Sequence, residues 1–289
     1  MKNVAILSMD SLDDFFSYDT LLDAPLRAAN WRTAIESWRD PMVNWNAYDV
    51  VLVRSPWDYQ QDVDAFVQCL ARIDSSSATL ENPLALMKWN IDKRYLRDLN
   101  AQGVPIVPTR WEEKLEKGML HAAMSAFASD ELIVKPVVSA NADFTYRLSN
   151  ADISSEEPQL MAVFAQRALM LQPFLPSILS PGEYSLFYFD HDYSHAILKT
   201  PKHNDFRVQE EHGGSLSSVT PTPAMLEVAE KTLAALPARA LYARIDLIET
   251  AQGLAVMEVE LIEPSLYFNM DDHSAQRFAD AFVSKFGHG

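Results

Sequence analysis

Arg244–Ser265 reads RIDLIETAQGLAVMEVELIEPS, two apolar strand-like runs that carry five carboxylates and are joined by TAQG. A carboxylate set near an apolar interior without a partner costs several kcal/mol, so something cationic should meet these groups. Side chains alternate along a strand, which puts Arg244, Asp246 and Ile248 on one face of the first run and Glu258 and Glu260 on one face of the second. With TAQG as a turn, antiparallel pairing lets Asp246 approach Glu258 and Glu260 across the ladder. Three clustered carboxylates repel unless a hard cation neutralises them, and all-oxygen ligation suits Mg²⁺. A second reading stays open at this point: a solvated outer face of a hairpin, with Arg244 an ordinary salt-bridge partner.

The rest of the chain narrows the choice. Its 289 residues, 48% hydrophobic, can bury a sizeable core and would ordinarily divide into two or three units. A net charge of −16 argues against a nucleic-acid or anionic-membrane surface. The single cysteine, Cys69, excludes an intramolecular disulfide and fits a reducing cytoplasm. MKNVAILSMDSLDDFF turns acidic after a short apolar run, unlike a signal peptide, and no apolar run is long enough to span a bilayer.

The first part alternates strand and helix patterns. Val4 to Leu7, Thr33 to Trp38 and Asp49 to Val53 read as strands, and a helix pattern recurs from Leu21 to Ala29. Val63, Phe66, Val67, Leu70 and Ile73 mark an amphipathic helix, with Cys69 a small core residue on its apolar face. This is a small α/β layer with a parallel sheet. The loop SMDSLDD has no glycine, so no dinucleotide fingerprint follows the first strand. SSSATLENP (75–83) reads as a linker, and one helix spans Leu84 to Ala101, stopped by Gly103 and Pro105. Helices are expected near Lys117–Phe127, Pro158–Ala168, Pro223–Leu236 and Asp272–Phe286. Strands are expected at ELIVKP and MLQPFL, and as two hairpins, YSLFYFD with HAILKT and ALYARIDLIE with LAVMEVELIE.

Several cations stand at element ends. Lys93 lies in the helix WNIDKRYL, Lys135 at the exit of ELIVKP before the small-residue loop VVSANADFT, Lys199 at the end of HAILKT, and Arg207 in HNDFRVQEEHGGS. Each alone reads more readily as a surface residue than as a ligand. In QPFLPSILSPGEYS the polar Gln172 interrupts an apolar run, and Glu183 follows before another strand. A purine held by the backbone near Pro173 to Leu175 and a hinge between units are both open readings. His191 and His195 flank a hairpin turn, which argues against a zinc pair. Trp31, Trp38, Trp45 and Trp57 read as packing, with Trp57 and Tyr59 able to line a substrate pocket.

Taken in order, WNIDKRYL, ELIVKP, QPFLPS…GEYS, KTP…DFR…GG and RIDLIE…MEVELIEPS resemble the ATP-grasp superfamily over nearly the whole chain. Within it the chain looks most like the glutathione-synthetase and ribosomal-protein-modifying ligases, and RSPWDY and ELIEPSLY resemble the cyclo-ligase of cycloserine biosynthesis. The resemblance implies an α/β ATP-grasp fold in three units: an N-terminal parallel α/β domain (1–82), a central lid subdomain (83–175) and a C-terminal antiparallel-sheet subdomain (176–289). It implies that Lys93 and Lys135 hold the α- and β-phosphates of ATP. Gln172 with the backbone of Phe174 and Leu175 would bind adenine, and Glu183 the ribose. Lys199 and Arg207 would face the γ-phosphate, Arg244 would steady the transferring phosphoryl group, and Asp246, Glu258 and Glu260 would bind two Mg²⁺ ions. Arg54, Ser55 and Asp58 of RSPWDY would face the substrate. Two departures stand out: Glu260 replaces a frequent Asn, and SANAD lacks the glycines usual in the phosphate loop. The implied reaction is cytoplasmic ATP-dependent ligation of a small-molecule carboxylate to an amine through an acyl phosphate. A nucleotide sensor and an ATP-dependent small-molecule kinase are the alternatives.

Overall fold

The structure is a computed structural model and describes residues 1–140, 142–203 and 205–287. The N-terminal unit holds β1 (Lys2–Ser8), α1 (Asp23–Ala28), β2 (Trp31–Ser37), β3 (Val50–Ser55), α2 (Val63–Asp74) and β4 (Thr79–Glu81). Its sheet is parallel in the order β2-β1-β3-β4. The apolar runs of β1 and β3 are continuous because both faces are covered. Val4, Ile6, Val50 and Leu52 pack in one core cluster, while Ala5, Leu7, Val51 and Val53 pack with Phe66, Cys69, Leu70 and Ile73 of α2 in another. Asp62 caps α2 by accepting from the Ala65 amide at 3.1 Å. The stretch read as a linker is in part the edge strand β4. Its tether is Asn82, whose side chain donates to the carbonyls of Tyr242 and Leu261 and accepts from the Leu241 amide.

The expected long helix over 84–101 is two, α3 (Leu84–Ile91) and α4 (Tyr95–Ala101). Asp92 takes an extended backbone and its carboxylate accepts from the Arg94 amide at 2.9 Å, starting the second helix afresh. The Lys93 amide meanwhile donates to the Val137 carbonyl at 2.7 Å. Lys93 therefore sits in the break, not inside a helix. Leu86, Leu96 and Leu99 of these helices bury against the C-terminal sheet, beside Leu186, Ile245 and Leu247.

The central unit comprises β5 (Arg110–Glu112), α5 (Met119–Phe127), β6 (Glu131–Pro136), β7 (Tyr146–Ser149), α6 (Ile153–Val163) and β8 (Leu169–Pro173), with an antiparallel sheet ordered β5-β8-β6-β7. Helix α6 starts five residues before the expected Pro158 and accommodates that proline internally. It ends at Val163, and beyond it the Ala168 carbonyl is taken by the Val137 amide.

The C-terminal unit comprises β9 (Glu183–Phe189), β10 (Asp192–Thr200), β11 (Ser215–Ser218), α7 (Pro223–Ala234), β12 (Tyr242–Thr250), β13 (Gly253–Glu260) and α8 (Ser274–Phe286). Its antiparallel sheet runs β11-β10-β9-β12-β13, so both expected hairpins form. Asp190 and His191 make the first turn with positive φ at both residues. His195 lies buried, stacked on Phe187 at 4.2 Å with its Nε2 at 3.0 Å from the Leu266 carbonyl oxygen. The two histidines therefore serve the hairpin. Trp31, Trp38, Trp45 and Trp57 are all buried in the cores. Among the described residues no helix is long and apolar enough to cross a membrane.

Candidate active site

Strand alternation assembles the site on one face of the C-terminal sheet. Cross-strand partners point the same way, and the register pairs Lys199 with Glu183, Asp246 with both Ser185 and Glu258, and Arg244 with Glu260. The opposite face, with Leu186, Tyr188, Ile245 and Leu247, is closed by α3, α4 and α7. A bulge leaves Met257 unpaired between Glu258, opposite Asp246, and Val256, opposite Leu247. One oxygen from each of Asp246, Glu258 and Glu260 lies within 4.8 Å of the others, in a cleft of about 1520 Å³ counting the solvent at its mouth.

Basic side chains of the chain itself meet these carboxylates. Arg244 donates to Asp246 from Nε at 3.0 Å and from Nη2 at 2.9 Å, and from Nη2 also to Glu260. Lys93 Nζ lies 2.5 Å from Glu258 and 3.0 Å from the Ser139 carbonyl oxygen. Lys199 pairs with Glu183 and lies 3.5 Å from Asp246. Ser185 Oγ donates to Asp246 at 2.5 Å. Burial opposes ionisation of all three carboxylates. Lys93 and Lys135 nevertheless hold Glu258 below its ordinary value, and Arg244 and Lys199 do the same for Asp246. Burial lifts Glu260 to about 7 against the pull of Arg244, because Glu258 and Asp246 repel its charge. Three hard oxygen donors at this spacing fit Mg²⁺, which would relieve that repulsion.

Lys135, on β6, lines the cleft from the opposite sheet and has no carboxylate within 4.0 Å among the described residues. Burial draws its ammonium below the ordinary lysine value. A desolvated, unpaired ammonium facing an open cleft is suited to an anion. Beyond it the cleft turns apolar, with Val107, Phe174, Ile178, Val208 and Ile248 forming one small cluster joined by Ile133, Leu175, Phe206 and Met257. Gln172 stands at its margin and donates to Thr109 Oγ1 at 2.9 Å. A flat apolar ring would bury there, with charged groups at one end only.

Most residues expected at the site share this cleft. Lys93, Lys135, Gln172, Phe174, Leu175, Glu183, Lys199, Arg207, Arg244, Glu258 and Glu260 line it, and Asp246 lies just beneath. Two arrangements differ from the expectation. Glu183 and Lys199, given separate tasks, are direct cross-strand ion partners. Arg207 is held bidentately by Asp205, at 3.1 Å from Nε and 2.8 Å from Nη2.

The RSPWDY residues require a correction, because Arg54, Ser55 and Asp58 do not line the cleft. Arg54 is fully buried, pairing with Asp19 at 3.1 Å and donating to the Pro264 carbonyl at 2.6 Å. Ser55 bonds Ser8 Oγ, and Asp58 accepts from Trp38 Nε1 and Arg39. These groups knit the N-terminal unit to the end of the site hairpin. Trp57 and Tyr59 from the same segment do line the cleft, as expected. Asn141 of the SANAD loop lies outside the described residues. Sequence reasoning missed Glu263, Ser265 and Tyr267, which lie beyond the end of β13 where alternation no longer signals direction.

Residues 4–82 match the family model described as D-cycloserine synthetase DcsG, N-terminal domain. Over 301 aligned positions, covering 98% of each chain, the sequence is 30% identical to the cycloserine biosynthesis protein DcsG of Streptomyces lavendulae. The crystal structure of D-cycloserine synthetase DcsG is similar to 98% of this chain and 99% of its own, with a TM-score of 0.87 at 28% identity. The ATP-grasp ligase PsnB, solved with minimal precursor, Mg and ADP, shares the fold over 98% of this chain and 97% of its own, with a TM-score of 0.67 at 15% identity.

Proposed function

The chain belongs to the ATP-grasp ligases, in the family of the cycloserine synthetase DcsG, and we propose that it joins a small amino-acid or peptide-like carboxylate to an amine through an acyl phosphate. That it is an ATP-dependent, carbon–nitrogen bond-forming ligase follows from the family; the intermediate, the ions and the residue roles are our reading. The observation that carries the reading is the juxtaposition, on one sheet face, of the Asp246–Glu258–Glu260 cluster with Lys93, Lys199 and Arg244, beside an apolar cleft.

The apolar cluster around Phe174 and Ile178 takes adenine, with Gln172 at its margin. Lys135, already desolvated and unpaired, takes a phosphate oxygen without breaking an existing pair. Lys93 and Lys199 exchange part of their contact with Glu258 and Glu183 for phosphate oxygens, at small cost because both remain among carboxylates. Arg207 stands at the cleft margin and reaches the γ-phosphate only by loosening its pair with Asp205. Asp246, Glu258 and Glu260 would hold Mg²⁺, which supplies charge neutralisation at the transferring phosphoryl group. Residues 1–82, 83–175 and 176–289 are its three working units.

In the first step a substrate carboxylate oxygen attacks the γ-phosphorus. The bond from that phosphorus to the bridging oxygen breaks, and ADP leaves. In the second an amine nitrogen attacks the acyl carbon, loses a proton, and phosphate leaves. The chain contributes mainly position and charge: Arg244, anchored by Asp246 and Glu260, presents a fixed guanidinium where negative charge builds. A screen of amino acids and short peptides for ADP release, with hydroxylamine present, tests this. Hydroxamate accumulating with ADP supports the acyl phosphate; a stable phosphorylated product without hydroxamate indicates a kinase.

A further inference from the structure

Two carboxylates lining the cleft, Glu211 and Glu263, are employed by neither the ion-pair network nor the chemistry above, and of the two only Glu263 is buried. Along the site hairpin the lining changes in order: Ile248 and Met257 are apolar, Glu258, Glu260 and Arg244 are charged, and Glu263 follows past the strand end. Within the site Glu183, Asp246, Glu258 and Glu260 are balanced by Lys93, Lys135, Lys199 and Arg244. Glu263 is left over. It is only 9% exposed, and among the described residues no Lys, Arg or His nitrogen comes within 4.0 Å of its carboxylate.

Its surroundings hold it in place without giving it an ion-pair partner. Trp57 Nε1 donates to its backbone carbonyl at 2.8 Å, and the buried Tyr59 stands beside its side chain. Burial first, and then the neighbouring Glu260 charge, push its carboxyl up to about 8. It does not belong to the carboxylate group whose oxygens converge within 4.8 Å, so it is not an added ligand there. A buried carboxylate aimed into a cleft and lacking a cation is stabilised most by a cation that arrives with the ligand. Trp57, Tyr59 and Tyr267 line the same cleft, and aromatic walls suit an ammonium.

We propose that Glu263, with Tyr59 and Trp57, is the subsite for the ammonium group of the substrate, which makes that substrate an amino acid or a close derivative keeping its free amine. The inference rests on the ligase reading, since it places the amine at one end of the charged zone while the carboxylate of the same molecule faces the phosphoryl-transfer end. Glu263 thereby selects for an amine the chemistry at the carboxylate does not itself require.

The test uses the full chain loaded with Mg²⁺ and AMPPNP, titrated calorimetrically with L- and D-alanine, L- and D-serine, D-cycloserine, and L- and D-lactate as counterparts lacking the amine. At least one amine-bearing probe should bind the wild type at least tenfold more tightly than lactate. Glu263→Gln should weaken that probe at least tenfold, Glu263→Asp should restore part of the loss, and AMPPNP affinity should change less than about twofold in both. Equal affinity of the amine probe for wild type and Glu263→Gln overturns the proposal, as do lactate binding as tightly as alanine and binding of none of the amine probes. The ligase reading fails by a different signal, the absence of nucleotide binding or of ADP release with any carboxylate. Lactate-driven ADP release would keep the ligase and discard the amine subsite.

Discussion

Glu258→Gln isolates the carboxylate cluster from the fold that carries it. Glu258 is held by Lys93 at 2.5 Å, with side-chain exposures of 27% and 11%, so the pair is largely screened from solvent. At an effective dielectric of about 20, unit charges roughly 3–4 Å apart attract by about 4–5 kcal/mol, most of which repays desolvation. Glutamine keeps an oxygen for Lys93, whose second acceptor, the Ser139 carbonyl, is untouched. The stability loss should therefore be about 1–3 kcal/mol, read from urea unfolding. Turnover should fall far more, by about 10²–10³-fold, because one of three converging charges is lost where phosphoryl transfer builds negative charge. Wild type should gain thermal stability with Mg²⁺ in the absence of nucleotide, and Glu258→Gln should lose most of that gain. A double-mutant cycle with Lys93→Met separates the ion pair from the metal contribution. If Glu258→Gln and Glu260→Gln both keep turnover within about threefold of wild type, the carboxylates only balance lysines and the metal reading is wrong.

Three further outcomes follow from named contacts. Lys135→Met should weaken ATP binding by about 1.5–3 kcal/mol, the range of a hydrogen bond to a charged group. In the wild type that affinity should decline with rising pH earlier than an ordinary lysine would allow, and calorimetry showing the same decline in Lys135→Met would discount Lys135. Asn82→Ala removes a donor to two buried carbonyls and an acceptor for a buried amide, so unfolding stability should drop by about 2–4 kcal/mol; a loss under about 0.5 kcal/mol would refute the tether. Glu263 faces Lys93, Glu258, Glu260 and Tyr59, and its folded carboxyl titrates near about 8 against an ordinary 4.5. Between those values the unfolded chain releases a proton the folded chain keeps, so stability present below about pH 4.5 is lost as pH rises toward 8. Glu263→Gln should flatten that slope in pH-dependent urea melts, and an unchanged slope would remove Glu263 as its source.

The local pattern determined much of this protein by itself. Alternation placed Arg244, Asp246 and Ile248 on one face of their strand and Glu258 with Glu260 on one face of the next, because a strand's period of two does not depend on its neighbours. The continuous apolar runs of β1 and β3 required cover on both faces, and the amphipathic α2 supplied one of the covers. Tertiary structure decided what those periodicities could not express. At the break after Asp92 the Lys93 amide bonds the Val137 carbonyl just past β6, a contact far along the chain that goes with Lys93 reaching Glu258. Arg54 looked available for a substrate, yet it is consumed by Asp19 and Pro264, 35 and 210 residues away along the chain. Glu263 gave no periodic signal, since it follows the last strand residue. Its significance comes from which cations reach its neighbours and stop short of it, a property of packing between units distant in sequence.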